Sequence, residues 1–84
     1  MKIVRYSRDA QKTLLRLPVN VARLLRAKIE QYAADPASLQ ANVKPLKGRP
    51  GYKRLRVGDW RIIFSEDGDV IAIVQIGPRG GIYE

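Results

Sequence analysis

The chain of 84 residues contains no cysteine and no histidine. Without cysteine, disulfide bonds and thiolate metal sites are excluded. Without histidine, the chain lacks the usual general base, the commonest metal ligand and every Ser–His or Cys–His dyad. No apolar run approaches the ~18 residues of a membrane span, and Met1 leads into charged residues rather than an apolar signal segment. We therefore expect a cytoplasmic protein without a membrane partner, and nothing in the composition indicates a cofactor or a metal.

The charge of the chain is strongly one-sided. Sixteen Lys and Arg against eight Asp and Glu give a net charge of +8. Solubility needs less charge than this in so small a domain, and the self-repulsion is destabilising. The excess favours a polyanionic partner: nucleic acid, an acidic protein or, less in keeping with cations on a sheet and on helix faces, an anionic membrane surface.

The length allows one domain, residues 1–84. Hydrophobic periodicity and turn residues predict, in chain order, a strand at 2–6, helices at 8–17 and 19–34, a loop at 36–50 and strands at 52–57, 60–65 and 70–76. Ser7 is the expected N-cap of the first helix. The order β-α-α-β-β-β predicts an α+β fold, with a small, twisted, mainly antiparallel sheet and an N-terminal helical hairpin packed on one face.

Gly58-Asp59 is expected to be a two-residue hairpin loop, which fixes the pairing of the strands on either side. Alternation then assigns one face to the core: Leu55, Val57, Trp60, Ile62 and Phe64. The other face carries Tyr52, Arg54, Arg56, Arg61, Ile63 and Ser65. Arg56 lies directly opposite Arg61, a placement that costs up to about 1 kcal/mol. Either these guanidinium groups splay into water or stack on Tyr52, or they bind an anion such as phosphate.

Further cations and aromatics flank this face. Lys44, Lys47, Arg49, Tyr52 and Lys53 are expected to extend this anion site, as RNA-binding residues if the polyanion is RNA. Arg79 is placed to approach from the tail, and Tyr83 to stack on a base or simply to pack. The acidic residues Asp59, Glu66, Asp67 and Asp69 are interpreted as turn formers rather than metal ligands.

The stretches LKGRPGYKRLRVGDWRIIF and VIAIVQIG, the acidic-Gly turn and the final R-x-x-x-Y resemble the RelE/ParE superfamily of bacterial type II toxins. The resemblance covers nearly the whole chain, including the YSRDAQKTLLRLP opening. It implies a microbial RNase-like fold held inactive by a cognate acidic antitoxin. Members of the RelE branch are endoribonucleases that cut messenger RNA in the ribosomal A site.

By this resemblance, Arg54, Arg56 and Arg61 match the basic residues around the hairpin turn. Arg79 matches the arginine assigned as general acid, and Tyr83 the tyrosine linked to base stacking or activation of the 2′-hydroxyl. Two features depart from the pattern and point to weaker catalysis: Pro78 stands where many relatives have histidine or lysine, and Gly80-Gly81 loosens the tail.

The chemistry is consistent with this assignment, because RNA carries its own nucleophile and fixed cations stabilise the charge that develops on the phosphate. We expect a metal-independent RNase that depends on the ribosome for substrate geometry. The expected partners are an acidic antitoxin, messenger RNA and the ribosome, with DNA contacted only through the antitoxin complex. Two alternatives stay open: a ParE-like inhibitor of DNA gyrase, and a catalytically weak homologue that acts as an antitoxin-binding co-repressor.

Overall fold

The computed structural model describes residues 1–79. Its elements are β1 (Ile3–Tyr6), α1 (Arg8–Arg16), α2 (Val19–Ala34), a 3₁₀ segment (Pro36–Asn42), β2 (Val43–Pro45), β3 (Tyr52–Val57), β4 (Trp60–Asp67) and β5 (Val70–Pro78). The five strands form one sheet in the order β1-β5-β4-β3-β2. β1 is parallel to β5, and all other neighbours are antiparallel. This confirms the predicted α+β fold, with the third apolar strand, β5, inside the sheet.

Ser7 ties the first helix to the centre of the sheet. Its Oγ accepts a hydrogen bond from the backbone N–H of Ala10 at 3.0 Å, which confirms the predicted N-cap. The same hydroxyl donates to the carbonyl of Val74 at 2.8 Å. One side chain therefore fixes both the start of α1 and its position over β5.

A bulge in β5 lets both halves of that strand contribute to the core. Ile63 of β4 pairs with Gln75 and Phe64 pairs with Ile73, so Val74 has no partner across the ladder. The extra residue reverses the alternation of side chains beyond it. Consequently Ile73 on one side and Ile76 on the other are both buried in the core under the helices.

The predicted core face of the hairpin is confirmed. Leu55, Val57, Ile62 and Phe64 are buried, and Trp60 is partly buried against them. Leu25 and Ile29 of α2 belong to the same cluster. Burial of each such aliphatic side chain contributes roughly 1.5–3 kcal/mol.

The prediction of a loop over residues 36–50 was wrong for its first ten positions. Pro36 opens the 3₁₀ segment, whose irregular backbone at Leu39 explains why no helical period is visible. β2 is only three residues long, too short to show an alternating pattern. It nevertheless pairs with β3 and forms the edge of the sheet, opposite Lys53, Arg54 and Leu55.

Within residues 1–79, no helix is long and apolar enough to cross a membrane.

Candidate RNA-binding face

The hairpin that carries the arginines has the predicted register. Val57 pairs with Trp60, Arg56 with Arg61 and Arg54 with Ile63. Gly58 opens the turn at a φ of 58°, in the left-handed region that glycine adopts without steric cost. The two strands therefore place three arginines on the face of the sheet opposite to the helices.

Arg54 and Arg56 come together with Lys44 at the edge of this face. Lys44 on β2 is the ladder partner of Arg54, so both side chains leave the sheet on the same side. All three cations line one small depression of about 60 Å³, together with Ala41 and Asn42. We call it the edge depression.

Arg61 does not line the edge depression. Its side chain is only 7% exposed. Its guanidinium donates from Nη1 to the carbonyls of Gly58 at 3.0 Å and of Trp60 at 3.1 Å. The expected cluster of three arginines is thus divided, because the carbonyls of the reversing turn lie within reach of Arg61 and draw its guanidinium towards them.

Arg79 lies at the same turn. The end of β5 pairs with the start of β4, Pro78 opposite Trp60. The backbone N–H of Arg79 donates to the carbonyl of Asp59 at 2.6 Å. This bond fixes the backbone of Arg79 beside the hairpin turn, and its side chain is exposed. Tyr83, Gly80 and Gly81 lie outside the described residues.

The remaining predicted RNA-binding residues separate into two groups. The Arg49 guanidinium stacks over the Tyr52 ring at 4.4 Å from its centroid, next to the basic face. Lys47 is exposed in the same loop. Lys53 instead points to the helix side of the sheet, where its Nζ lies 3.2 Å from a carboxylate oxygen of Glu66. The structure therefore does not place Lys53 beside the arginines.

Glu66 was wrongly interpreted as a turn residue. It lies within β4. Its carboxylate oxygens form ion pairs with Nζ of Lys2 at 3.1 Å and with Nζ of Lys53 at 3.2 Å. The Tyr32 hydroxyl donates to it at 2.5 Å. Burial alone raises the pKa of Glu66, but the bonds from Tyr32 and the two lysines outweigh it, so the pKa lies below its ordinary value. Burial and the Glu66 carboxylate together raise the pKa of Tyr32.

The acidic side chains of residues 1–79 form no group of three that would hold a metal ion. Glu66 joins α2, β3 and Lys2, the residue before β1, to β4 and is therefore a structural carboxylate on the face away from the arginines.

Comparison with known proteins gives the family. The model of the ParE toxin of type II toxin–antitoxin systems, parDE, matches residues 4–83. The chain belongs to the RelE/ParE superfamily of type II toxins. This RelE/ParE toxin is 29% identical to the toxin RelE3 of Methanocaldococcus jannaschii over 86 residues, which cover 100% of the chain and 97% of RelE3.

Solved structures agree with this assignment. A chain of the archaeal RelE–RelB complex from Pyrococcus horikoshii OT3 superposes with a TM-score of 0.78 at 27% identity, covering 96% of this toxin and 98% of that chain. A chain of the intact E. coli RelBE toxin–antitoxin complex superposes with a TM-score of 0.74, covering 93% and 96%. At 20% identity the second likeness shows the fold alone.

Sequence reasoning named Lys44 but missed Asn42 and the 3₁₀ segment at the edge of the toxin's basic face. Asn42 ends the 3₁₀ segment and donates from its side-chain amide to the carbonyl of Arg56 at 3.4 Å. This contact holds the 3₁₀ segment against β3. The sequence gives little signal for this edge, because Asn42 and Lys44 are of residue types depleted in strands and only Val43 favours one.

Proposed function

We propose that this toxin is an endoribonuclease that cleaves messenger RNA in the ribosomal A site. The observation that carries the proposal is the convergence of Arg54 and Arg56 with Lys44 on the open face of the sheet. Two relatives named RelE support messenger RNA as the substrate. More than a quarter of the aligned residues are identical in each, and the solved one has the same fold.

The cationic face suits attack of a 2′-hydroxyl on the adjacent phosphate. The nucleophile belongs to the RNA, so the protein has to supply stabilisation of the charge that builds on the non-bridging oxygens. Fixed cations supply this, and removal of one such group typically costs about 100- to 1,000-fold in rate. Arg54 is half-buried and is carried by an interior strand of the sheet. Its side chain therefore has to move little when charge develops in the transition state.

Proton transfer is assigned by resemblance to Arg79 as acid and to Tyr83 as base or stacking partner. The backbone bond of Arg79 to Asp59 holds this residue near the turn from which Arg56 and Arg61 also project. Arginine releases its proton with difficulty, so we expect slow cleavage of free RNA. On the ribosome, external positioning of the messenger lowers the barrier, by as much as about 7–11 kcal/mol in well-oriented systems. Such an enzyme acts in the cytoplasm and needs no metal ion.

The experiment that tests the proposed class is a map of messenger 5′ ends in a translating extract. The wild type and Lys12→Gln, an exposed change on α1, should cut within codons held in the A site. Arg54→Gln should cut at least about 100-fold more slowly. Cuts scattered along untranslated RNA would contradict the proposal.

The gyrase alternative has one specific observation in its favour, the description of the matching family model as ParE. A supercoiling assay with purified gyrase separates the two functions. We expect no inhibition at toxin concentrations that cleave translated messenger. Inhibition that persists in Arg54→Gln would instead assign the toxin to gyrase. Absence of both activities, and of growth arrest, would favour the co-repressor alternative.

We also propose that an acidic antitoxin helix binds the groove between α1 and α2. The groove has a volume of about 520 Å³ and an apolar lining that includes Leu15 and Val19, which are 82% and 71% exposed. Arg23, Arg26 and Glu30 line it as well, so its charged side chains are two cations and one acid. Apolar side chains bordered by cations fit an amphipathic helix with acidic flanks. The RelE–RelB complex of the Pyrococcus horikoshii relative supports a protein partner of this kind.

Leu15→Asp tests the antitoxin surface. Because this side chain is exposed, the change should leave folding and toxicity intact while preventing rescue of growth by co-expressed antitoxin. Lys12→Gln on the same helix serves as the control and should be rescued normally. Full rescue of Leu15→Asp would place the antitoxin elsewhere.

A further inference from the structure

We infer that Arg61 is a positioning residue for Arg79, and that it acts on cleavage through the hairpin turn rather than by contact with RNA. The inference rests on the proposed RNase function, in which Arg79 is the acid that protonates the leaving oxygen. It gives Arg61 a different part in the reaction from the one implied by resemblance, in which this residue belongs with the cations of β3.

Two arginines share the carbonyl groups of the hairpin turn. The Arg61 guanidinium donates from Nη1 to the carbonyls of Gly58 at 3.0 Å and of Trp60 at 3.1 Å. The carbonyl of Asp59, between them in the chain, accepts the backbone N–H of Arg79 at 2.6 Å. Three successive carbonyls therefore connect the side chain of Arg61 to the backbone of Arg79.

The turn is short, so its shape depends on these bonds. Only Gly58 and Asp59 separate β3 from β4, and Gly58 has a φ of 58°. One nitrogen of Arg61 donates to the carbonyls on both sides of Asp59 and thereby fixes their spacing. The Asp59 carbonyl lies between them and binds Arg79. Its orientation therefore sets where the chain leaves the end of β5, and with it the origin of the Arg79 side chain.

Burial separates Arg61 from the cations that are open to a phosphate. Only 7% of Arg61 is exposed, whereas Arg56, directly opposite, is an exposed residue. A buried charge requires hydrogen bonds that replace its lost water, and the turn carbonyls provide them. A phosphate would have to break both bonds to take this guanidinium. Arg79, in contrast, has an exposed side chain beside the same turn.

The proposed reaction gives Arg79 one step. The 2′-oxygen bonds to phosphorus while the bond from phosphorus to the 5′-oxygen breaks. The proton of the 2′-hydroxyl passes to the base, assigned by resemblance to Tyr83, and the leaving 5′-oxygen takes a proton from Arg79. A general acid contributes about 100- to 10,000-fold in rate, and a misplacement of ~1 Å can cost about 100-fold. Loss of Arg61 should therefore slow the protonation of the leaving oxygen and no other event.

The test is single-turnover cleavage on programmed ribosomes of two messengers that differ in one atom, the 5′-oxygen at the cut or a sulfur in its place. A thiolate leaves without a proton, because a thiol is a much stronger acid than an alcohol. Arg61→Ala should cut the oxygen messenger about 10- to 100-fold more slowly than the wild type, and the sulfur messenger within about threefold of the wild-type rate. Arg79→Gln should show the same pattern. Arg54→Gln, which removes a cation from the edge depression, should be slow on both messengers.

Three more variants complete the design, all assayed at a temperature at which circular dichroism shows them folded. Gly58→Ala perturbs the turn at its positive φ without removing a cation, and it should repeat the pattern of Arg61→Ala. Lys12→Gln, exposed on α1, should match the wild type on both messengers. The double variant Arg61→Ala/Arg79→Gln should be no slower than Arg79→Gln alone, since both changes remove the same step.

A loss in Arg61→Ala that persists on the sulfur messenger, or that multiplies with the loss in Arg79→Gln, would mean that Arg61 contacts the phosphate and would overturn the inference. A wild-type rate on the oxygen messenger in Arg61→Ala would overturn it as well. Failure of the RNase proposal looks different: the wild type would cut neither messenger, and the inference would fall with the proposal.

Discussion

Replacement of Arg61 by alanine is the change for which the structure gives the clearest energetic expectation. The substitution removes two hydrogen bonds from a buried guanidinium to the carbonyls of Gly58 and Trp60. Bonds from a charged group contribute about 1.5–3 kcal/mol. Relief of repulsion from Arg56, directly opposite, returns at most about 1 kcal/mol. The loss of the two bonds therefore prevails, and we expect destabilisation by at least about 2 kcal/mol, out of a total of roughly 4–13 kcal/mol.

Arg56→Ala is the matched control, because it removes the other member of the same cross-strand pair. Its side chain is exposed, so only the repulsion changes, and stability should stay within about 0.5 kcal/mol of the wild type or rise slightly. Urea unfolding, followed by circular dichroism, measures the stability of both variants. In thermal unfolding, the midpoint temperature of Arg61→Ala should lie about 10 °C below that of the wild type. Equal stability of the two variants would refute the anchoring role of Arg61.

Three further changes test other parts of the fold, each by urea unfolding. Glu66→Gln should reduce the loss of unfolding free energy at acid pH. The pKa of Glu66 is lowered in the folded state, so the stability that its carboxylate contributes is present above the unfolded-state pKa of 4.5. That stability is lost as the pH falls through the folded-state pKa. The same loss of stability at acid pH in Glu66→Gln as in the wild type would contradict the role of Glu66 as an ion-pair acceptor. Ser7→Ala removes the helix cap and the hydrogen bond to the Val74 carbonyl, and it should lower the free energy of unfolding by about 1–2 kcal/mol. A decrease below about 0.5 kcal/mol would mean that the Ser7 hydroxyl does not make both contacts. Gly58→Ala should cost about 1–2 kcal/mol because of its positive φ, and a neutral effect would mean that the turn rearranges.

The hairpin was predictable from sequence because local rules determine it. A two-residue Gly-Asp loop fixes the register, and the period of two then assigns Leu55 and Arg54 to opposite faces. The helices followed from their apolar spacing and from Ser7. In each case the controlling interactions are between residues close together in the chain.

The features that were missed depend on contacts between distant segments. The bulge at Val74 becomes visible only when β5 is laid against β4. The role of Glu66 depends on Tyr32, which is 34 positions away in the chain. Lys44 was named from the sequence, but the strand that carries it was missed, because three residues show no periodic signal. Alternation assigned Arg61 to the correct strand face, but it does not specify which acceptors a long side chain reaches.

Single-turnover cleavage of messenger on purified, programmed ribosomes is the most direct test of whether the cations of β3 act in chemistry. The informative pair is the wild type and Arg56→Gln, since Arg56 is exposed and its replacement should leave the free energy of unfolding unchanged. We predict the same binding of ribosomes to within a few fold and a cleavage rate lower by about 100-fold or more. An unchanged rate in Arg56→Gln, with the fold intact, would contradict the proposal that this face stabilises the charge on the scissile phosphate.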